Sequence, residues 1–416
     1  MSGKDINVCE RLTIFCEANS LIFAALQIMD KAKYFLFFLV LNFSIASSCQ
    51  QPSAKQAPKK QEIVVTKTPD FNFAPLSPGD LAYYKNAVAD YYEKHLKHTG
   101  FSGSILVAKN GQILFEDYQG LINLRTKEPI TPSTSFHLAS VSKTFTGMAI
   151  LRLREQGRLS LEDPLEKYFP QIPYHGITVR MLLDHRSGLP NYLNFMDSFW
   201  NKKRKATNED VLNFMIVHKP RLSNLPDRAF NYCNTNFMLL ALILERITHI
   251  PYPQYMQDSV FTPLGLKNTY VFGIKDTASY RPTYIGNRPY PMDHLDCTYG
   301  DKNIYSTVTD LYKWDMALYQ HTFVSKATLD LAFTPESNER RSMHNYGLAW
   351  HLYFNNGDTI VYHNGKWHGS NNVFMRLVQD DATIIILGNK ANGNIYKMKG
   401  MASIFTGHVD ENKLEE

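Results

Sequence analysis

His137-Leu-Ala-Ser140-Val-Ser-Lys143-Thr-Phe-Thr-Gly147 opens a run that continues through Met148, Ala149, Ile150, Leu151 and Leu153 to Gly157. The apolar positions and the closing glycine predict a helix of about four turns. Ser140 then stands at the helix N-terminus, where backbone N–H groups and the helix dipole favour developing negative charge. Positions three apart share a face, so Lys143 can reach the Ser140 hydroxyl. Burial of Lys143 would disfavour its charged form and leave a neutral amine able to take the serine proton. The four-residue pattern alone is weak evidence, since average composition produces about one or two matches in a chain this long.

Upstream, Leu81, Tyr84, Ala87, Val88, Tyr91 and Tyr92 recur at helical spacing behind Pro78-Gly79-Asp80, which supplies a start; Gly100 and Gly103 end the pattern. Ser104 to Glu116 reads as a hairpin about Asn110-Gly111. Downstream, Tyr346–Phe354, Asp358–Tyr362, Asn372–Val378 and Thr383–Leu387 are short apolar or alternating runs separated by turn residues. Between these ends lie helical stretches, with Met238–Ile247 apolar around much of its circumference and Val308–Leu318 preceded by Thr307 as a cap. The fold expected is α/β (α+β): one antiparallel sheet built from both chain ends, flanked by helices, with a mainly helical subdomain inserted.

Two further motifs follow Ser140-x-x-Lys143 in order. Phe230-Asn-Tyr232-Cys233-Asn234 carries a Y-x-N element, and His363-Asn364-Gly365 an H-x-G element. Leu182–Pro190 and Tyr305–Leu311 match in style. Across about residues 80–400 the chain resembles the class C β-lactamase and DD-peptidase family of serine hydrolases. The resemblance implies a β-lactamase/transpeptidase-like fold and an acyl-enzyme mechanism without a cofactor. Ser140 would be the nucleophile and Lys143 its activator. Tyr232 would be the partner of Lys143 in proton transfer, and which of the two is the formal base stays open. A phenol has an ordinary pKa near ~10, so positive charge would have to stabilise its anion if it acts as a base, and Lys143 is the candidate. Asn234 would bind the substrate amide or Lys143. His363 would line the opposite wall of the cleft on an edge strand, and Gly365 would let the backbone approach the substrate. The backbone N–H groups of Ser140 and Lys366 would form the oxyanion hole. His363 stands where many relatives have lysine in K-T-G, so a substrate carboxylate would be held less firmly by that residue. That weakens the expectation of efficient β-lactam hydrolysis and widens the expected substrates from β-lactams to D-amino-acid peptides and small esters, peptidoglycan-derived peptides among them.

The rest of the chain narrows the class. Its 416 residues are 44% hydrophobic and 20% charged, with a formal net charge of +5. The basic run Lys202–Lys205 reads as a solvated loop. No nucleic-acid module or phosphate loop is present, so a nucleic-acid partner is not expected. Five cysteines show no C-x-x-C pattern; His294 and Cys297 have metal-like spacing but no second pair, so no metal is expected. His185 is read as packing its loop, and Cys233 as packing between two site residues.

From Met29 the chain has the plan of a bacterial secretory signal: Lys31 and Lys33, then the apolar Tyr34–Leu41, then Ile45-Ala-Ser-Ser-Cys49. That ending resembles a lipobox whose Cys49 is lipidated, although Ala46 stands where leucine is usual; an ordinary cleaved signal with an incidental cysteine is the less favoured alternative. The expected location is the periplasmic side of a bacterial envelope, with a membrane anchor at Cys49. The expected organisation is 1–28 as a spurious upstream extension, 29–49 as the signal, 50–77 as a flexible linker and 78–410 as the hydrolase domain.

Two competing readings differ in class. A Ser-His-Asp hydrolase would carry a G-x-S-x-G elbow, and the chain has none; a class A β-lactamase would carry S-D-N and K-T-G, and both are replaced. The other alternative is a penicillin-binding DD-carboxypeptidase or receptor domain that acylates and scarcely turns over.

Overall fold

A computed structural model describes residues 73–355 and 357–407. The expected signal, Cys49 and most of the linker lie outside the described residues. The first helix, α1 (Pro78–Tyr92), begins where expected, with Ser77 as its cap: the Ser77 hydroxyl accepts from Asp80 N, and Pro78 fills the first helical position.

Seven strands form the main sheet, numbered here in chain order. They are β1 (Gly103–Lys109), β2 (Gln112–Gln119), β3 (His344–Tyr346), β4 (His351–Asn355), β5 (Asp358–Trp367), β6 (Ser370–Leu377) and β7 (Ala382–Gly388). Their spatial order is β3-β4-β5-β6-β7-β1-β2, antiparallel throughout. The last strand pairs with the first, from Gly103 opposite Gly388 to Lys109 opposite Ala382, so both chain ends build one sheet. Asn110 and Gly111 both take positive φ (49° and 71°), as the two-residue turn between β1 and β2 demands.

The expected run Tyr346–Phe354 is two strands. Gly347 N donates to Trp350 O and Ala349 adopts φ 74°, a tight turn that folds β4 back on β3. A Cβ on Gly347 would lie 2.2 Å from Ala332 O, so the turn is seated against the helical region. Apolar content alone does not show such a reversal, since Leu348 and Trp350 are buried in the turn as fully as strand residues would be.

Alternation sorts the strand residues onto two faces. Ile105, Val107, Val373, Met375, Ile384 and Ile386 face α1 and the C-terminal segment, where they meet Val88, Tyr92, Met398 and Met401. Leu106, Phe374, Ile385 and Leu387 face the larger core, together with the helices inserted between β2 and β3. Three of these matter most: α2 (Ser142–Glu155), α3 (Asn234–Thr248) and α4 (Val308–Tyr319). α2 is buried at every position from Ser142 to Leu153, and α3 from Thr235 to Leu244, so both are interior helices. Thr307 caps α4 by accepting from Asp310 N, as its sequence predicts. The Asp315 carboxylate on α4 binds Arg376 of β6 and Thr383 of β7, pinning this helix to the sheet.

Candidate active site

Ser140 lies in the single 3-10 turn Ala139–Val141 that leads directly into α2, just outside the α-helix proper. The residue before it, Ala139, holds φ 50°, a left-handed conformation that costs a non-glycine residue about 1–2 kcal/mol. Its surroundings over-determine it. Ala139 N donates to His137 Nδ1 (3.2 Å), His137 Nε2 donates to Asn303 Oδ1 (2.7 Å), and Leu138 N donates to Ile304 O (2.8 Å). Asn372 of β6 donates to His137 O (3.0 Å), tying the turn to the sheet. A sharp, clamped turn of this kind presents the serine hydroxyl at a fixed point.

Lys143 sits one turn on, and its residue is fully buried. Its Nζ is 3.1 Å from Ser140 Oγ, 2.7 Å from Asn234 Oδ1 and 2.9 Å from Asp301 O. Burial is the main reason its pKa falls to about 7; the Asp301 carboxylate opposes the fall and the Lys302 ammonium adds to it. Tyr232, half-buried, presents its ring 4.9 Å from the same Nζ. Burial also raises the Tyr232 phenol well above its ordinary value, with the Ser140 hydroxyl pulling the other way. Burial thus favours the protonated phenol over the anion that a Tyr232 base would need, and it moves Lys143 toward its neutral form.

His363 stands where its strand becomes an edge. Its strand, β5, is internal along its first half, where Tyr362 faces His351 of β4. Pairing with β4 ends there, while pairing with β6 continues to Trp367, so β5 is an open edge only from His363 onward. The His363 ring is buried, with Nδ1 donating to Asn364 O (2.7 Å) and Nε2 3.4 Å from Tyr346 OH. Burial, then the nearby His351 and Lys143, keep it uncharged. Gly365 is required by contact: a Cβ there would lie 2.3 Å from Leu138 O and 3.3 Å from Ala139 Cβ. The strand thus lies directly against the turn that carries Ser140. Ser140, Tyr232, Asn234, His363 and Lys366 line one cavity of about 620 Å³.

Other groups in this region carried no clear signal in the sequence. His185, expected only to pack its loop, is buried with its ring 4.3 Å from that of Tyr232. Its Nδ1 accepts from Cys233 N (3.1 Å), so it orients the Tyr232 segment and cannot be a charged base. His351, Tyr396 and Lys399 complete the cavity wall. The C-terminal residues among them come from a short helical segment whose spacing marks only packing. Cys233 points away as expected, its Sγ donating to Leu189 O (3.3 Å). His294 and Cys297 belong to no group of three or more metal-binding side chains among the described residues.

The Beta-lactamase family model matches residues 88–399, which contain every one of these groups. The chain belongs to the Beta-lactamase family. It is a serine hydrolase of that family, with an antiparallel sheet and flanking helices as expected. Among curated relatives, Penicillin-binding protein 4* of Bacillus subtilis is 31% identical over 324 residues, covering 73% of this chain and 71% of the relative. Among solved structures, a penicillin-binding protein from Bacillus halodurans superposes with a TM-score of 0.67 at 23% identity, covering 76% of this chain and 99% of that one. A D-amino acid amidase from Ochrobactrum anthropi does so with a TM-score of 0.61 at 21% identity, covering 77% and 96%.

Proposed function

We propose that the protein hydrolyses an amide or ester through an acyl-enzyme on Ser140, with Lys143 as the base of acylation. The placement of Lys143 Nζ carries this reading. Asn234 Oδ1 and Asp301 O accept two N–H bonds. A neutral amine has two, so its lone pair is left for the Ser140 hydroxyl at 3.1 Å. As Ser140 Oγ bonds to the carbonyl carbon, its proton passes to Nζ. The oxygen then bears the negative charge, and the backbone N–H groups of Ser140 and Lys366 would hold it. Collapse breaks the bond to the leaving group, which takes the Tyr232 proton, and the Lys143 ammonium restores that phenol. Water then attacks the acyl carbonyl by the same relay in reverse.

Gly365 lets β5 press on the turn, which supports Lys366 as an oxyanion donor. An uncharged His363 puts no positive charge at that position for a substrate carboxylate, which weighs against efficient β-lactam hydrolysis and favours D-amino-acid peptides and small esters. The segment from Lys31 to Cys49 supports export and lipid anchoring on the periplasmic side of an envelope, with residues 78–410 as the exported enzyme. A panel of nitrocefin, D-Ala-D-Ala peptides, D-aminoacyl amides and p-nitrophenyl esters tests the reading. Hydrolysis that disappears in Ser140→Ala and largely survives Cys233→Ala is expected; equal rates in Ser140→Ala and wild type would end it.

The penicillin-binding relatives favour a second reading, a domain that acylates and releases slowly. A fluorescent penicillin separates the two. A long-lived adduct supports the receptor, and rapid loss of the label supports the hydrolase.

A further inference from the structure

Beyond Lys366, β5 leads away from Ser140 to a second cavity of about 430 Å³. Lys366 borders both this cavity and the one that holds Ser140 and Tyr232. The leaving group belongs beside Tyr232, which supplies its proton, so the acyl chain runs the other way, along the open edge of β5. The far cavity has a rigid wall: Trp367 Nε1 and His368 Nε2 meet the same Asp296 Oδ1 at 2.7 and 3.0 Å, and Tyr290 stacks on His368 at 3.8 Å.

Apart from Lys366 at the shared border, the cavity's charged side chains are the carboxylates of Asp197 and Asp293, with the His294 imidazole between them. Asp293 Oδ1 lies 2.9 Å from His294 Nδ1 and fixes the ring. His294 Nε2 is left without a hydrogen-bond partner among the described residues, although the side chain is only 4% exposed. The nearest carboxylate oxygen, on Asp197, is 3.9 Å away. That gap is too long for a hydrogen bond, yet one nitrogen donor about 2.8 Å from each atom would bridge it. Lys202 already contacts Asp197 at 2.7 Å, but both side chains are more than half exposed, so solvent screens the pair and a ligand can displace it.

We propose that this cavity is the acyl-side subsite and takes an acyl chain that ends in a primary amine. The proposal rests on the serine-hydrolase reading above. Lys366 borders both cavities, so the chain that joins the scissile carbonyl to the amine passes along the wall formed by Lys366, Trp367 and His368. A lysine-like side chain or the free N-terminus of a dipeptidyl group meets that requirement.

The test compares p-nitrophenyl esters of 6-aminohexanoate, N-acetyl-6-aminohexanoate and hexanoate. Wild type is expected to favour the free amine about tenfold in kcat/KM over both others, as a hydrogen-bonded charge would give. That preference should shrink in Asp197→Asn, a surface change that leaves the core untouched, and in Asp293→Asn. Nα-acetyl-lysyl and glycyl-alanyl esters then show which kind of amine is used. Equal kcat/KM for the amine and hexanoyl esters, or an unchanged preference in both variants, would overturn the subsite. Hydrolysis of all esters that persists in Ser140→Ala would instead overturn the hydrolase reading beneath it.

Discussion

Ser140 and Lys143 were legible because three motifs stand in order and because residues three apart on a helix must meet. Their neighbours were not. His185 comes from a distant segment, while Tyr346 and His351 face each other across the Gly347–Trp350 turn that the continuous apolar run conceals, so their meeting left no clear pattern in the chain. The proton assignment also needed the fold, since burial moves Lys143 down and Tyr232 up from values that sequence alone leaves at their ordinary positions. In the proposed mechanism acylation uses the neutral amine of Lys143, so kcat/KM for a neutral ester should fall as pH drops through about 7 and level off above it. A profile flat from about pH 5.5 to 8.5 would remove Lys143 as the base. Tyr232→Phe keeps the ring beside Lys143 and removes only the phenol. It should lower kcat by about 100-fold for amides, and by less for p-nitrophenyl esters, whose leaving group needs no proton. Equal losses for both substrates would take away the proton-donor role.

At the scale of elements, α2, α3 and α4 were legible from their apolar spacing and caps. Two features of the strands were not. One is the reversal at Gly347–Trp350, hidden in a continuous apolar run. The other is the change in β5 from internal to edge strand at His363, set by how far β4 extends and not by any residue of β5. In the proposed mechanism the site depends on contact between β5 and the Ser140 turn, and Gly365 permits that contact. Gly365→Ala places a methyl group 2.3 Å from Leu138 O and must push strand and turn apart. A shift of this order costs about 100-fold in rate. The expected result is a folded protein by circular dichroism with kcat/KM reduced by about that factor. Wild-type activity in the variant would show that the strand does not set the geometry.

For the whole molecule, the meeting of β1 with β7 was expected from turn signals at both ends, whereas the depth of the histidine burial was not. His137 and His351 are held by burial at about 4 and about 3, and His185 and His363 also lie well below their ordinary value. Below about pH 6.5 the unfolded chain protonates these histidines and the folded one does not, so stability falls with acidification. Asp184, raised by burial to about 7, works in the opposite sense because the folded state binds its proton more readily. Asp315, Asp380, Asp381 and Glu245, also raised by burial, oppose the histidines in the same way. The four histidines set the sign, and Tm should drop from pH 7 to about pH 5. A constant Tm over that interval would mean that the histidines are charged in the fold. The covalent claim is tested most directly by intact-protein mass spectrometry after brief exposure to a fluorescent penicillin, followed by peptide mapping. With an acid quench that traps the acyl-enzyme before turnover, an adduct is expected on Ser140 alone, in the peptide that also holds Lys143, and absent from Ser140→Ala. An adduct on another residue, or one that forms equally in Ser140→Ala, would contradict it.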